Sequence, residues 1–184
     1  MAKLVTKTYA DALFQLAAED GKVDELYSEA VALLDVLESN PDLSKVMTHP
    51  GVDKNEKLAA IREIFTGRLS GEMCGLLNQV VEAGRYAETE GILKYFISEV
   101  KEYKKIGVAY VMTPAPLSDD QKKRVEQKLL DTAGYVKMEM NYSVDPSLIG
   151  GMKIRIGDRV VDSSISSKID ELARSLRRIQ LKTV

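Results

Sequence analysis

Two side chains belong to residue types that often take part in catalysis, and each of these types occurs once in the sequence. His49 is the only histidine and Cys74 the only cysteine among the 184 residues. His49 lies beside Pro50 at a predicted helix end, where a capping or loop role is far more frequent than base catalysis. Cys74 has no adjacent Lys or Arg to lower the pKa of its thiol, which favours a small core residue over a nucleophile. An enzyme that uses either residue stays a rival interpretation.

Two further patterns look like binding motifs, and both have a structural explanation. Asp119-Asp120 is a carboxylate pair, but it stands in the predicted first turn of a helix, where acids favour the positive end of the helix dipole. The segment from Gly150 to Gly157 contains no Gly-Lys-Ser/Thr, and its residues alternate as those of a strand do. We therefore predict no catalytic site, no nucleotide loop and no metal or other cofactor.

The last predicted helix is basic. A basic helix can bind phosphate or an acidic protein, or it can be a solvated face. A nucleic-acid-binding module that uses this helix is the alternative function, although the helix has no aromatic residues between its cations. These cations are Lys168, Arg174, Arg177, Arg178 and Lys182.

Composition is that of an ordinary globular protein with a packed core. Lys and Arg number 26 against 28 Asp and Glu, and apolar residues make up 45% of the chain, so a strongly basic nucleic-acid binder is excluded. The longest stretch without a charge, Ile106 to Ser118, has 13 residues and two prolines, whereas a membrane-spanning helix needs about 20 apolar residues. Since the sequence also begins without an apolar secretory segment, we expect no membrane span and a cytoplasmic protein.

Up to Lys105 the apolar residues recur every three or four positions, as Tyr9, Leu13 and Leu16 do, which is the period of amphipathic helices. This part has 13 basic and 18 acidic residues, a net charge of −5. The fold class that we predict is α+β, with an N-terminal six-helix bundle over residues 1–105. The fourth to sixth helices are expected at roughly 54–65, 70–83 and 88–104.

After Lys105 the apolar period becomes two, which is typical of strands. Strands are predicted at Ile106 to Met112, at Val136 to Tyr142 and at Met152 to Ile156, with a helix between the first two and a last helix from about Ser164. This part has 13 basic and 10 acidic residues, a net charge of +3. The chain is therefore expected to end in a small C-terminal α/β domain over residues 106–184.

Three linear motifs point to a known family. Thr8 to Phe14 reads Thr-Tyr-Ala-Asp-Ala-Leu-Phe, Leu77 to Tyr86 contains Val-Val-Glu-Ala-Gly-Arg, and the long run from Asp145 to Ile165 continues through Lys168-Ile169 to Leu176. All three are similar to the ATP synthase delta subunit, called the oligomycin-sensitivity-conferring protein in mitochondria, and the last run resembles the signature of that family almost position for position. The resemblance covers essentially the whole chain.

This resemblance implies a non-catalytic stator subunit of the rotary proton-translocating ATP synthase, which links the catalytic head to the peripheral stalk and resists rotor torque. In this family the N-terminal bundle receives the N-terminal helix of an alpha subunit in a groove between helices one and five, and the C-terminal domain holds the b subunits. Recognition of that kind places a helix in a groove. The expected location is the cytoplasmic face of a bacterial cell membrane, as a peripheral subunit.

The family match also implies site residues. Small residues such as Ala12 and Ala83 would let a visiting helix approach closely, and Val80 is expected on an apolar groove wall. The expected groove positions are Tyr9, Ala12, Leu13, Leu76, Gln79, Val80 and Ala83. For the stalk we predict Arg155, Arg159 and Lys168, because the basic C-terminal part would prefer an acidic segment.

Overall fold

The computed structural model describes residues 2–180, and the side chains of residues 4–175. Over these residues the architecture is α+β, with eight α-helices and one four-stranded mixed sheet. The chain forms two compact units, Met1–Lys101 and Glu102–Val184, which we name the N-terminal unit and the C-terminal unit.

Six helices begin in the N-terminal unit, and local signals explain where several of them start. Pro41 stands at the first position of a helix, where its missing N–H leaves no donor unsatisfied. The Asp53 carboxylate accepts a hydrogen bond from the backbone N–H of Asn55, and the Ser70 hydroxyl accepts one from that of Met73. The helices are α1 Ala2–Glu19, α2 Val23–Ser39, α3 Pro41–Thr48, α4 Lys54–Phe65, α5 Gly71–Glu82 and α6 Thr89–Tyr103.

One hydrophobic core joins all six helices. Each helix contributes at least one buried apolar side chain, because the spacing of three and four places these residues on one face. Their removal from water is the main favourable contribution to folding of this unit. In chain order, one such residue per helix is Leu13, Leu33, Met47, Phe65, Leu77 and Phe96.

The C-terminal unit is built on the sheet. Its strands are β1 Ile106–Thr113, β2 Lys137–Val144, β3 Lys153–Ile156 and β4 Arg159–Asp162, in the spatial order β2-β1-β3-β4. β1 and β2 are parallel, and the helix α7 Asp119–Ala133 makes the crossover between them, whereas β1 and β3, and β3 and β4, are antiparallel. The last helix, α8 Ile165–Gln180, follows β4.

One face of this sheet carries its buried residues. Val111 lies opposite Tyr142 on one side and Ile154 on the other, so these three share a face. The Tyr142 hydroxyl donates to the carbonyl of Lys122 in α7 at 3.2 Å, which fixes α7 over the same face. No residue of α7, all of whose residues are described, is fully buried, and all four residues of β4 are exposed. The C-terminal unit therefore has a small core.

Candidate functional site

The two lone reactive side chains lie in settings that do not favour catalysis. His49 is exposed after α3, where its Nδ1 accepts the backbone N–H of Gly51 at 3.0 Å. Cys74 packs against the core, and burial raises the pKa of its thiol, with a smaller contribution from Glu29. The thiol is therefore kept protonated. Among the described residues, no group of three or more His, Cys, Asp or Glu side chains could hold a metal ion.

The α1–α5 groove is a cavity of about 490 Å³ between the first and fifth helices. Its surface is mostly apolar. Leu13 is nearly buried and forms part of the floor, whereas Ala12 and Gly75 are small and exposed. The lining residues are Thr8, Tyr9, Ala12, Leu13 and Leu16 from α1, and Glu72, Gly75, Leu76 and Gln79 from α5.

Five of the seven expected groove positions line this cavity: Tyr9, Ala12, Leu13, Leu76 and Gln79. The other two lie outside its lining. Val80 is wholly buried in the core, because one residue after Gln79 the helix has turned by about 100°. Ala83 is exposed directly after the end of α5 and is not among the residues that line the cavity.

Four lining residues, Thr8, Leu16, Glu72 and Gly75, were not among the expected positions. Gly75 carries the clearest signal that sequence reasoning overlooked. A glycine inside a helix is unfavourable by roughly 0.5–1 kcal/mol relative to alanine, so its presence in α5 suggests a requirement for close approach. A Cβ built at Gly75 meets nothing within 4 Å, so no described neighbour in the chain requires a glycine at this position.

Among the described residues that line the groove, Glu72 alone has a charged side chain. Lys22, which follows α1, donates to its Oε1 at 2.5 Å. This hydrogen bond lowers the pKa of Glu72 and raises the pKa of Lys22, so both side chains are charged at neutral pH. The groove therefore offers mostly apolar surface together with one charged pair, which suits an amphipathic helix.

The three residues predicted for the stalk lie in different parts of the C-terminal unit. Arg155 lies on the sheet face away from α7, with its guanidinium 4.7 Å from the centre of the Tyr110 ring. Arg159 lines a different cavity, of about 470 Å³, with Ile154 and Ile156 on the α7 face. Lys168 belongs to α8. Arg155 and Arg159 therefore lie on opposite faces of the sheet.

The start of α8 is held by a compact hydrogen-bond cluster. The Asp162 carboxylate accepts from the Ser164 hydroxyl at 2.7 Å and from the Ser167 hydroxyl at 2.8 Å. These hydrogen bonds hold the pKa of Asp162 well below its usual range, and those from Ser164 contribute most. Lys153, whose Nζ lies 3.4 Å from Oδ2 of Asp162, makes a smaller contribution. The carboxylate therefore stays ionised and anchors α8 to β4.

Gly151 permits the close approach next to this cluster. Its φ is +79°, and a Cβ built on it would lie 2.3 Å from the Ser163 carbonyl oxygen. Only glycine fits such a position without a shift of the backbone. The glycine-bearing segment that superficially resembles a phosphate loop is therefore a packing element.

Comparison with known proteins identifies the class to which this fold and groove belong. A family model described as ATP synthase delta (OSCP) subunit matches residues 5–176. The chain is 48% identical over 181 residues to ATP synthase subunit delta of Lachnoclostridium phytofermentans, which covers 98% of this chain and all of the relative. It is 33% identical to that of Prochlorococcus marinus subsp. pastoris, over 95% of this chain and 97% of the relative.

A solved structure shares the fold. A chain of the Toxoplasma gondii mitochondrial ATP synthase hexamer superposes with a TM-score of 0.73 at 18% identity, over 93% of this chain and 96% of that chain. At that identity the similarity shows the fold alone.

The chain belongs to the ATP synthase delta (OSCP) subunit family. It is a non-catalytic stator subunit of the peripheral stalk, and its roles in ATP synthesis and proton transport follow from membership in that complex. The alternative of a nucleic-acid-binding module is not supported. Of the cations on which that alternative relied, Lys182 lies outside the described residues, as do the side chains of Arg177 and Arg178. No helix of the described residues is long and apolar enough to cross a membrane.

Proposed function

We propose that the α1–α5 groove receives the N-terminal helix of the ATP synthase alpha subunit, while the C-terminal unit holds the b subunits of the stalk. The N-terminal unit would then act as a six-helix bundle bound to the catalytic head, and the chain would link head to stalk. The location that fits this role is the cytoplasmic face of the cell membrane, as a peripheral subunit. Relatives in Lachnoclostridium and Prochlorococcus, both bacterial, support that location.

The α1–α5 groove is the observation that supports the proposed contact with the alpha subunit. An α-helix with side chains is about 10–12 Å across, and a visiting helix of that width needs small residues where its backbone passes closest. Ala12 on α1 and Gly75 on α5 supply them, one on each wall. Leu13, Leu16 and Leu76 supply the apolar surface that the visiting helix would cover.

Stator function explains why two contacts on one chain are useful. Rotation of the shaft pulls on the head, so the link must dissociate slowly rather than associate quickly. Two helix-binding surfaces joined in one chain raise the effective concentration of each partner once the other is bound. A short groove of moderate affinity can therefore take part in a durable connection.

The experiment that tests the groove uses the full chain and a synthetic peptide of the alpha-subunit N-terminus from the same organism. We expect saturable binding that shifts the amide signals of α1 and α5 in NMR spectra. Ala12→Glu places a charged side chain on the groove wall and should weaken binding about tenfold or more, because the charge would be buried under an apolar helix face.

Ala18→Glu is the matched control, because Ala18 is also exposed on α1 but does not line the groove. Its affinity should equal that of the unmodified chain. Ala83→Glu should also leave binding unchanged, since the cavity does not reach that residue. Equal losses for Ala12→Glu and Ala18→Glu, or absence of binding by the unmodified chain, would contradict the proposal.

A further inference from the structure

Glu72 differs from the other residues of the α1–α5 groove, because it is an acid in a mostly apolar lining. Its side chain exposes 19% of its surface, whereas that of Lys22, which pairs with it, exposes 43%. A helix seated in the groove would cover the carboxylate further. Burial of a carboxylate is unfavourable unless cations or hydrogen-bond donors compensate for the lost water. The occupant of the groove must therefore leave Glu72 well paired.

Lys22 does not balance the acids at this end of the groove. Glu72 raises the pKa of Lys22 most, and Asp20 and Glu25 raise it further. Three carboxylates thus act on one ammonium group, which leaves a local net charge of 1 − 3 = −2. The ammonium group contacts Oε1 of Glu72, and an ionised carboxylate offers about four acceptor positions on its two oxygens. Glu72 can therefore accept a further donor, and the surplus of acid favours a cation.

The α5 wall fixes where this cation must stand. Glu72, Leu76 and Gln79 follow one another in steps of four and three residues, so they lie in one row along the groove. Leu76 is about 6 Å from Glu72 along the helix axis. On a facing helix, the residue that reaches Glu72 and the residue that covers Leu76 are therefore three or four positions apart.

We propose that Glu72 is the specificity-determining residue of the groove, and that its carboxylate pairs with a lysine or arginine of the visiting helix, three or four positions from an apolar residue that covers Leu76. The inference rests on the proposed function, because the alpha-subunit helix would carry this cation. In the bound state Glu72 lies between two cations, that of the visiting helix and Lys22, which offsets the loss of water. A helix with an acid at the same position is repelled.

A purely structural ion pair would behave differently. The bond between Lys22 and Glu72 joins the residue before α2 to the first turn of α5. Glu72→Gln and Lys22→Gln both remove this bond, but only Glu72→Gln removes the charge that is offered to a partner. The two variants therefore distinguish recognition of the partner from stabilisation of the bundle.

The test measures binding of the alpha-subunit N-terminal peptide from the same organism to the full chain, by calorimetric titration at low and high salt. We expect Glu72→Gln to bind about fivefold more weakly at low salt, and the difference should shrink at high salt because salt screens charges. Lys22→Gln should bind at least as tightly as the unmodified chain, since Glu72 is then fully available. Equal losses for the two variants, or no loss for Glu72→Gln, would overturn the inference.

A charge swap tests the contact itself. Lys22→Glu combined with Glu72→Lys keeps an ion pair within the chain but places the cation in the groove. Each lysine or arginine of the peptide is replaced by glutamate in turn. We expect one of these peptides to bind the swapped chain about tenfold more tightly than it binds the unmodified chain. If none of them does so, Glu72 faces no cation of the peptide and the inference is wrong.

These outcomes also separate the inference from the proposed function. Peptide binding that does not depend on Glu72 keeps the groove as the binding site and removes only the specificity role. Absence of binding by the unmodified chain removes the proposed function, and this inference with it.

Discussion

The two units of this chain treat their apolar residues differently. In the N-terminal unit, 19 apolar residues are buried in one cluster to which all six helices contribute. In the C-terminal unit only Ala109, Val111, Met138 and Leu148 are buried among the described apolar residues, while Val161 and Leu172 are largely exposed. The first unit thus completes its own core, and the second leaves much of its apolar surface in contact with solvent.

This difference indicates two ways of binding a helix. A unit with a complete core can keep a preformed groove, because the groove walls are side chains of helices that the core already fixes in place. A unit with a small core gains apolar burial when a partner covers it, and any partner that binds only the folded state stabilises that state by an amount set by its affinity and concentration. On the proposed function, each partner would stabilise the unit that it binds.

The largest effect is expected from a cavity in the N-terminal core. Phe96 is wholly buried, so Phe96→Ala should lower the free energy of unfolding by about 3–5 kcal/mol. Leu172→Ala removes an exposed side chain of the C-terminal unit. It should change the free energy of unfolding by about 0.5 kcal/mol or less. Both are measured by denaturant unfolding followed by circular dichroism, and similar losses for the two variants would remove the contrast between the units.

A smaller loss of stability than for Phe96→Ala is expected where the C-terminal unit is closely packed. Gly151→Ala should destabilise this unit by about 2–3 kcal/mol, because the new Cβ would collide with the Ser163 carbonyl in addition to the strain at positive φ. Gly134→Ala is the control for strain alone, since Gly134 has a similar φ of +72° with nothing within 4 Å. Its expected loss is about 1–2 kcal/mol. Equal losses, measured by calorimetry, would show that the close approach at Gly151 is unimportant.

The helices were the most predictable part of the fold, because their signals are local. α4 occupies residues 54–65 as predicted, and α5 and α6 end within a residue of their predicted bounds. The strand order β2-β1-β3-β4 did not follow from the periodicity, since alternation along a strand does not reveal which strand is its neighbour.

The relative placement of candidate site residues was predictable only for residues within one helix or strand. Tyr9, Ala12 and Leu13 lie on one side of α1, which spacing alone can place. Arg155 and Arg159 are four residues apart and would share a face in one continuous strand, but the two-residue turn between β3 and β4 pairs Ile156 with Arg159 and reverses the alternation. Such reversals depend on the turn, so they become visible only in the structure.

The smallest change in stability is expected at Gly75. There the same substitution should alter both stability and binding. Gly75→Ala should raise the free energy of unfolding of the N-terminal unit by roughly 0.5–1 kcal/mol, because alanine favours the helix and its Cβ meets nothing within the chain. The same methyl group would stand in the α1–α5 groove, so affinity for the alpha peptide should fall severalfold. Gly71→Ala, at the first residue of α5 and outside the groove lining, should leave binding unchanged. A more stable Gly75→Ala variant with undiminished affinity would mean that close helix approach is not the reason for this glycine, and the preformed groove would lose its main support.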